Sequence, residues 1–102
     1  MLHNVYFWLK ADTSPSDRLY FEAELQRLLL IDEIEWGMTG RPAPTAERPQ
    51  TDHSFDYSLH LRFKSRELHD HYQSEAHAAH QRFITECRPF FDQVKIYDSE
   101  SL

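Results

Sequence analysis

Phe55-Asp56-Tyr57-Ser58-Leu59-His60-Leu61-Arg62-Phe63-Lys64 alternates without a break: 55, 57, 59, 61 and 63 are apolar or aromatic, and 56, 58, 60, 62 and 64 are polar or charged. A period of two belongs to a β-strand with one face buried. On the N-terminal side, Arg41 to His53 holds three of the five prolines, at 42, 44 and 49, and almost nothing apolar, which predicts a loop able to cover a site or a partner. Before it, Ile34, Trp36 and Met38 alternate with Glu33, Glu35 and Gly37, predicting a strand that buries the first set and stops near Gly40.

Earlier still, Thr13-Ser14-Pro15-Ser16-Asp17 supplies a capping serine, a proline suited to a first helical turn and a carboxylate near the positive helix end. The helix is expected to reach about Leu30, burying Phe21, Leu25, Leu28 and Leu29 and exposing Glu22, Gln26 and Arg27. Residues 2 to 10 alternate His3, Val5, Phe7 and Leu9 with Leu2, Asn4, Tyr6 and Trp8, so both faces of this strand are expected to be covered. On the C-terminal side, Ser65 can cap a helical segment from Arg66 to Gln73, and Ser74 a second that begins at Glu75, with a break between them. In the second, Ala76, His80, Phe83, Ile84 and Cys87 form one inward stripe with His77 at its edge. Pro89 ends it, and Val94 to Tyr97 reads as a last short strand.

The order β-α-β-β-α-β predicts an α+β ferredoxin-like sandwich, a four-stranded antiparallel sheet with its helices on one face. One domain is expected over residues 1–98, followed by a polar tail at 99–102. Tyr6 and Trp8 would then stand on the other face as a dimer interface, which a two-fold homodimer with facing sheets would cover.

Composition narrows the function. The 102 residues are 40% hydrophobic and 14% aromatic, enough for one core, and the net charge of -6 carries no basic run. Neither nucleic acid nor an anionic membrane is expected as a partner. No stretch approaches the ~18 apolar residues of a span and the start lacks a secretory pattern, so a soluble cytoplasmic protein is expected. Cys87, the single cysteine, falls on the apolar stripe and reads as a buried, inert thiol.

The opening His3-Asn4-Val5-Tyr6-Phe7, the run from Phe55 to Ser65 followed by Tyr72, and His77-Ala78-Ala79-His80 through Val94-Lys95-Ile96-Tyr97-Asp98 together resemble the stress-responsive A/B barrel domain family, Dabb. Ala78 stands where the family commonly has proline, and Tyr72 lies five residues before His77 where the family spacing is nearer three. The resemblance implies a dimeric α+β barrel with a pocket in each subunit between helices and sheet. Some members, a plant polyketide cyclase among them, perform a cofactor-free aldol cyclisation in which the second histidine of the motif is the base. That implies catalytic roles for His80 and Tyr72 and a pocket lined by His3, Val5, Phe7, Tyr57, Leu59, His77 and Phe83. Tyr57 replaces a histidine that the cyclase carries on its third strand.

A neutral imidazole in an apolar pocket can remove a proton next to a carbonyl, and a tyrosine hydroxyl from position 57 or 72 can polarise that carbonyl. The plainer reading makes His80 a core histidine satisfied by a tyrosine or a backbone carbonyl. Three classes stay open: a cofactor-free cyclase or lyase, a module binding a small hydrophobic or polyketide-like ligand, and a stress-related structural protein. An enzyme would need a cavity beside His80; a structural protein would fill that space with Phe7, Tyr57 and Phe83. No cofactor is expected. No metal site is expected either: His77, His80 and Glu75 lack a further converging ligand, and His69 and His71 are expected to face solvent.

Overall fold

The computed structural model describes residues 1–102. Its elements run β1 (Leu2–Leu9), α1 (Pro15–Arg27) with a 3₁₀ turn at Leu28–Leu30, β2 (Ile34–Gly40), β3 (Tyr57–Phe63), α2 (Arg66–Gln73), α3 (Ala78–Cys87) with a 3₁₀ turn at Arg88–Phe90, and β4 (Phe91–Ser99). The strands form one sheet in the order β2-β3-β1-β4, every neighbouring pair antiparallel. This is the ferredoxin-like arrangement that the alternations predict.

Pairing brings Val5 opposite Leu59, and Phe7 opposite Tyr57. Val5, Phe7, Leu9, Leu59, Leu61 and Phe63 thus form one apolar surface, against which α1 lays Phe21 and Leu25, the turn after it Leu28, and α3 Phe83 and Cys87. Ring centroids 5.4 Å apart for Phe7 and Phe21, and 5.8 Å for Phe7 and Phe83, mark edge-to-face packing at the centre. Helix starts fall where short oxygen-bearing side chains can satisfy the free N–H groups: Ser14 accepts from Asp17 N–H at 3.1 Å, and Ser65 from Leu68 N–H at 3.2 Å.

Four local expectations are corrected. β2 carries a bulge: Ile34 pairs with Phe63 and Trp36 with Arg62, so two steps on β2 oppose one on β3. Ile34 therefore packs on the core, while Trp36 and Met38, 48% and 44% exposed, stand on the opposite face. Gly37 takes the inward place, where a Cβ would lie 2.9 Å from Leu29 Cδ2 and 3.0 Å from Leu61 Cδ2; only glycine fits there without displacing them. Phe55 leaves the apolar stripe, because the Asp56 carboxylate is drawn to the Leu9 N–H at 2.8 Å and to the Arg18 guanidinium at 3.3 Å, and the strict alternation starts only at Tyr57. Phe55 instead meets Tyr6 on the outer face, centroids 5.0 Å apart.

Ser74 closes α2, its N–H bonded to the His71 carbonyl, rather than opening α3; Ala76 lies exposed between the helices. β4 begins at Phe91, three residues before the expected strand, because Phe91 packs its ring 5.6 Å from Phe7, and it runs on through Ser99. No helix is long and apolar enough to cross a membrane.

Candidate functional site

Three histidines and a tyrosine gather where the start of β1 meets the α2–α3 junction. The break between the helices builds this place. His77 is the N-cap of α3: its Nδ1 accepts the His80 backbone N–H at 3.2 Å, and its Nε2 donates to Glu33 Oε1 at 2.9 Å. The first bond requires a lone pair on Nδ1 and the second a proton on Nε2, so both contacts fix one neutral tautomer. Burial raises the Glu33 carboxyl, but its own backbone N–H and the His77 hydrogen bond outweigh that and hold it below the usual carboxylate range.

His80 lies one turn further along, its ring centroid 4.6 Å from that of Tyr72. The imidazole is half-buried, and its Nδ1 is fully buried without any hydrogen-bond partner. Burial, then the neighbouring His77 and His3, keep its pKa below the ordinary histidine value, which favours the neutral form. Tyr72 is 2% exposed and burial drives its hydroxyl pKa upward, so it stays a proton donor. Its ring also lies 5.3 Å from His77 and 5.9 Å from His3. The unusual spacing between Tyr72 and His77 is taken up by the turn at residues 74–77, which returns the tyrosine to the histidines.

His3, on the inner face of β1, is 2% exposed, with Nδ1 2.6 Å from Asp98 Oδ1 across the β1–β4 pair. Burial lowers its pKa more than Asp98 raises it. Of the residues implied as site-forming, His3, Tyr72, His77 and His80 therefore come together. Val5, Phe7, Leu59 and Phe83 lie in the hydrophobic core. Burial, and then the hydrogen bond its hydroxyl donates to Glu22 Oε2 at 2.6 Å, raise the Tyr57 pKa, and the tyrosine ring packed on His80 is that of Tyr72.

Two cavities lie elsewhere. One of about 260 Å³ sits between α1 and the β2 side of the sheet, against Glu22, Leu25, Thr39 and Tyr57. The other, about 500 Å³, is on the face without helices, floored by Asn4, Tyr6, Trp8, Ser58, His60 and Tyr97 and walled by the 41–55 loop. There Trp8 Nε1 donates to Ser54 Oγ at 3.0 Å, and His60 bridges Asn4 Oδ1 at 2.7 Å and Ser58 Oγ at 3.0 Å.

Sequence spacing missed a second grouping. His69 is 8% exposed rather than solvent-facing, because it shares with Tyr72 the α2 face that covers Phe63; its ring lies 5.2 Å from Phe63 and 4.9 Å from His3. The i, i+3 spacing of His69 and Tyr72 is the signal that could have placed it inward. One nitrogen each of His3 and His69 and a carboxylate oxygen of Asp98 lie within 4.8 Å of one another.

With this geometry in place, comparison with known proteins fixes the family. The family model for the Stress responsive A/B Barrel Domain, Dabb, matches residues 1–101. The chain belongs to the Dabb family. Solved structures agree in fold along the whole chain. A Dabb family protein with a ferredoxin-like fold from Mesorhizobium loti is 18% identical with a TM-score of 0.75, covering 99% of this chain and 95% of its own. A dimeric ferredoxin-like protein of unknown function from Thermobifida fusca is 15% identical, TM-score 0.72, covering 94% and 85%. A hydroxynitrile lyase from Passiflora edulis is 16% identical, TM-score 0.76, covering 99% and 94%. No curated protein matches the sequence significantly. Among these Dabb-like structures, dimers and proteins of unknown function are both represented.

Proposed function

We propose that this Dabb protein is a homodimer whose His80 and Tyr72 form a cofactor-free acid–base pair acting on a small organic hydroxyl- or carbonyl-bearing compound, in the manner of a cyclase or lyase. The observation that carries the reading is the His80 Nδ1: a buried imidazole nitrogen with no partner, beside a tyrosine, in a ring whose neutral form is favoured. Buried polar atoms are nearly always hydrogen-bonded, so an orphan nitrogen in a half-buried ring is a position where a bound compound would supply the missing partner. In the proposed step His80 takes a proton from the compound while the Tyr72 hydroxyl donates a hydrogen bond to the oxygen on which charge develops. That a Dabb-like fold from Passiflora edulis is a hydroxynitrile lyase makes the cyanohydrin a reasonable first probe.

The test is α-proton exchange of acetophenone in D₂O, followed by proton NMR, together with cleavage of mandelonitrile to benzaldehyde. His80→Ala is expected to lower either rate by roughly 10²-fold or more, the scale of a lost general base. Equal rates for wild type and His80→Ala would remove the base role. Because His80 is held below 6.5, the wild-type rate is expected to stay level from pH 8 to about 6.5 and to fall only as pH drops through the lowered value.

A second reading, binding without turnover, is favoured by the 500 Å³ cavity on the other sheet face, with Tyr6, Trp8 and Tyr97 as apolar walls and His60 and Asn4 as polar groups. Ligand-induced amide shifts confined to those residues would select it over the His80 site.

A further inference from the structure

His3, His69 and Asp98 come from three different elements, β1, α2 and β4, and converge at one end of the sheet. The β1–β4 register sets His3 directly opposite Asp98, which explains the 2.6 Å contact between His3 Nδ1 and Asp98 Oδ1. His69 arrives from the helix above. Its Nδ1 lies 3.1 Å from Asp70 Oδ1. A carboxylate only accepts, so that nitrogen carries a proton, and in the neutral Nδ1–H tautomer Nε2 keeps its lone pair. Nε2 is fully buried, has no hydrogen-bond partner, and lies 3.8 Å from Asp98 Oδ2, another acceptor. In that tautomer a buried nitrogen lone pair faces the half-exposed Asp98 carboxylate across a gap that no donor of the chain fills.

We propose that His3 Nδ1, His69 Nε2 and Asp98 form a binding site for a divalent transition-metal ion, with zinc as the reference ion. Two imidazoles and one carboxylate are a donor set suited to such an ion. Bonds of about 2.0–2.2 Å place tetrahedral ligand atoms roughly 3.3 Å apart. His3 Nδ1 and Asp98 Oδ1 would separate by a little over half an ångström, His69 Nε2 and Asp98 Oδ2 would approach by about as much, and the imidazole nitrogens, which start within 4.8 Å, would close by up to about 1.5 Å through side-chain rotation. Asp70 already supplies the outer carboxylate that usually orients a ligating histidine. Asp98, whose side chain is 40% exposed, provides both the entry path and room for a water or ligand as fourth donor. Metal binding displaces the proton that His3 and Asp98 share; the site has His3 in common with the cluster around His80 but uses neither His80 nor Tyr72 as a ligand.

The experiment is titration of the chelator-stripped, full-length protein with Zn²⁺ against a chromophoric competitor, and with Co²⁺ by visible absorption. One equivalent per chain, with a dissociation constant at or below about 1 μM and Co²⁺ bands of a four- or five-coordinate site, is the expected result. His69→Gln and Asp98→Asn are each expected to weaken Zn²⁺ binding by about 100-fold or more, and His71→Ala, on the exposed side of the same helix, to leave it unchanged. Circular dichroism checks that each variant is folded, and imidazole ¹⁵N shifts in the wild type, moving at His3 and His69 on Zn²⁺ addition, give a readout that needs no variant. Absence of stoichiometric binding, or binding that survives His69→Gln or leaves the His3 and His69 nitrogens unmoved, overturns the proposal.

Discussion

At the scale of single residues, the two histidines of one short motif divide their work by helical position. His77 precedes the helix and spends both nitrogens on structure, one on the His80 N–H and the other on Glu33. His77→Ala is expected to cost about 1–2 kcal/mol in urea denaturation, with His77→Asn recovering the capping part alone. The stripe pattern made His80 an inward residue and His77 an edge one, whereas His77 is 7% exposed and His80 only half-buried; the partner that draws His77 in, Glu33, was invisible because it sits 44 positions away. Cys87 was readable from its stripe alone: it is fully buried, and burial and then the Glu24 and Glu86 carboxylates push its thiol pKa up to about 12. A thiol reagent at pH 8 should leave the native protein untouched and titrate one thiol in denaturant. Glu24 was not readable. It is buried on α1, and hydrogen bonds from Arg82 Nη2 at 2.9 Å and Nε at 3.2 Å hold its pKa below 4.5 despite burial. A depressed carboxyl contributes stability that is complete above its unfolded value of about 4.5 and is lost as pH falls through the folded one. Acid unfolding followed by tryptophan fluorescence should therefore occur at higher pH in Arg82→Ala than in the wild type.

At the scale of elements, most local chemistry was legible, Ser74 being the exception because it ends α2 while His77 caps α3. Capping serines, the proline at the head of α1 and the alternation in β1 and β3 each act within a few residues, and they placed these elements within a turn or so. The β2 bulge was not legible, since a bulge is a property of two paired strands: Ile34 to Trp36 spans one step of β3. Beyond Ile34 it exchanges the inward and outward positions, turning Trp36 and Met38 out and setting Gly37 against Leu29, Leu61 and Ile34. Gly37→Val is expected to destabilise by about 1–3 kcal/mol through overpacking, while Met38→Thr, on the open face, should move the denaturation midpoint little. A Gly37→Val protein as stable as the wild type would mean that the sheet tolerates the unbulged register. The histidine cluster had the same origin: His3, His69 and Asp98 become neighbours only through strand order and helix placement.

At the scale of the molecule, a surface of 6886 Å² exceeds the roughly 6,100 Å² expected for a compact monomer of this mass. The excess follows from shape, since the extents are 35 × 33 × 18 Å: one sheet with helices on a single side is a slab. Its bare face carries Tyr6, Trp8, Trp36, Met38, Phe55 and Tyr97, with Trp36 and Tyr97 48% and 58% exposed. A single chain has no second layer to cover this face, and a copy related by a two-fold axis is the simplest layer that matches it, because both partners then present the same apolar surface. On that argument, light scattering at micromolar concentration should give about twice 12.2 kDa. Trp36→Glu combined with Tyr97→Glu places two carboxylates per chain where the copies would meet, far from the core, and should yield a folded monomer. A wild type that scatters as a monomer, or a double variant that stays dimeric, would mean that the bare face is covered in some other way and that the loop closing the 500 Å³ cavity is the lid of a surface site rather than the rim of an interface.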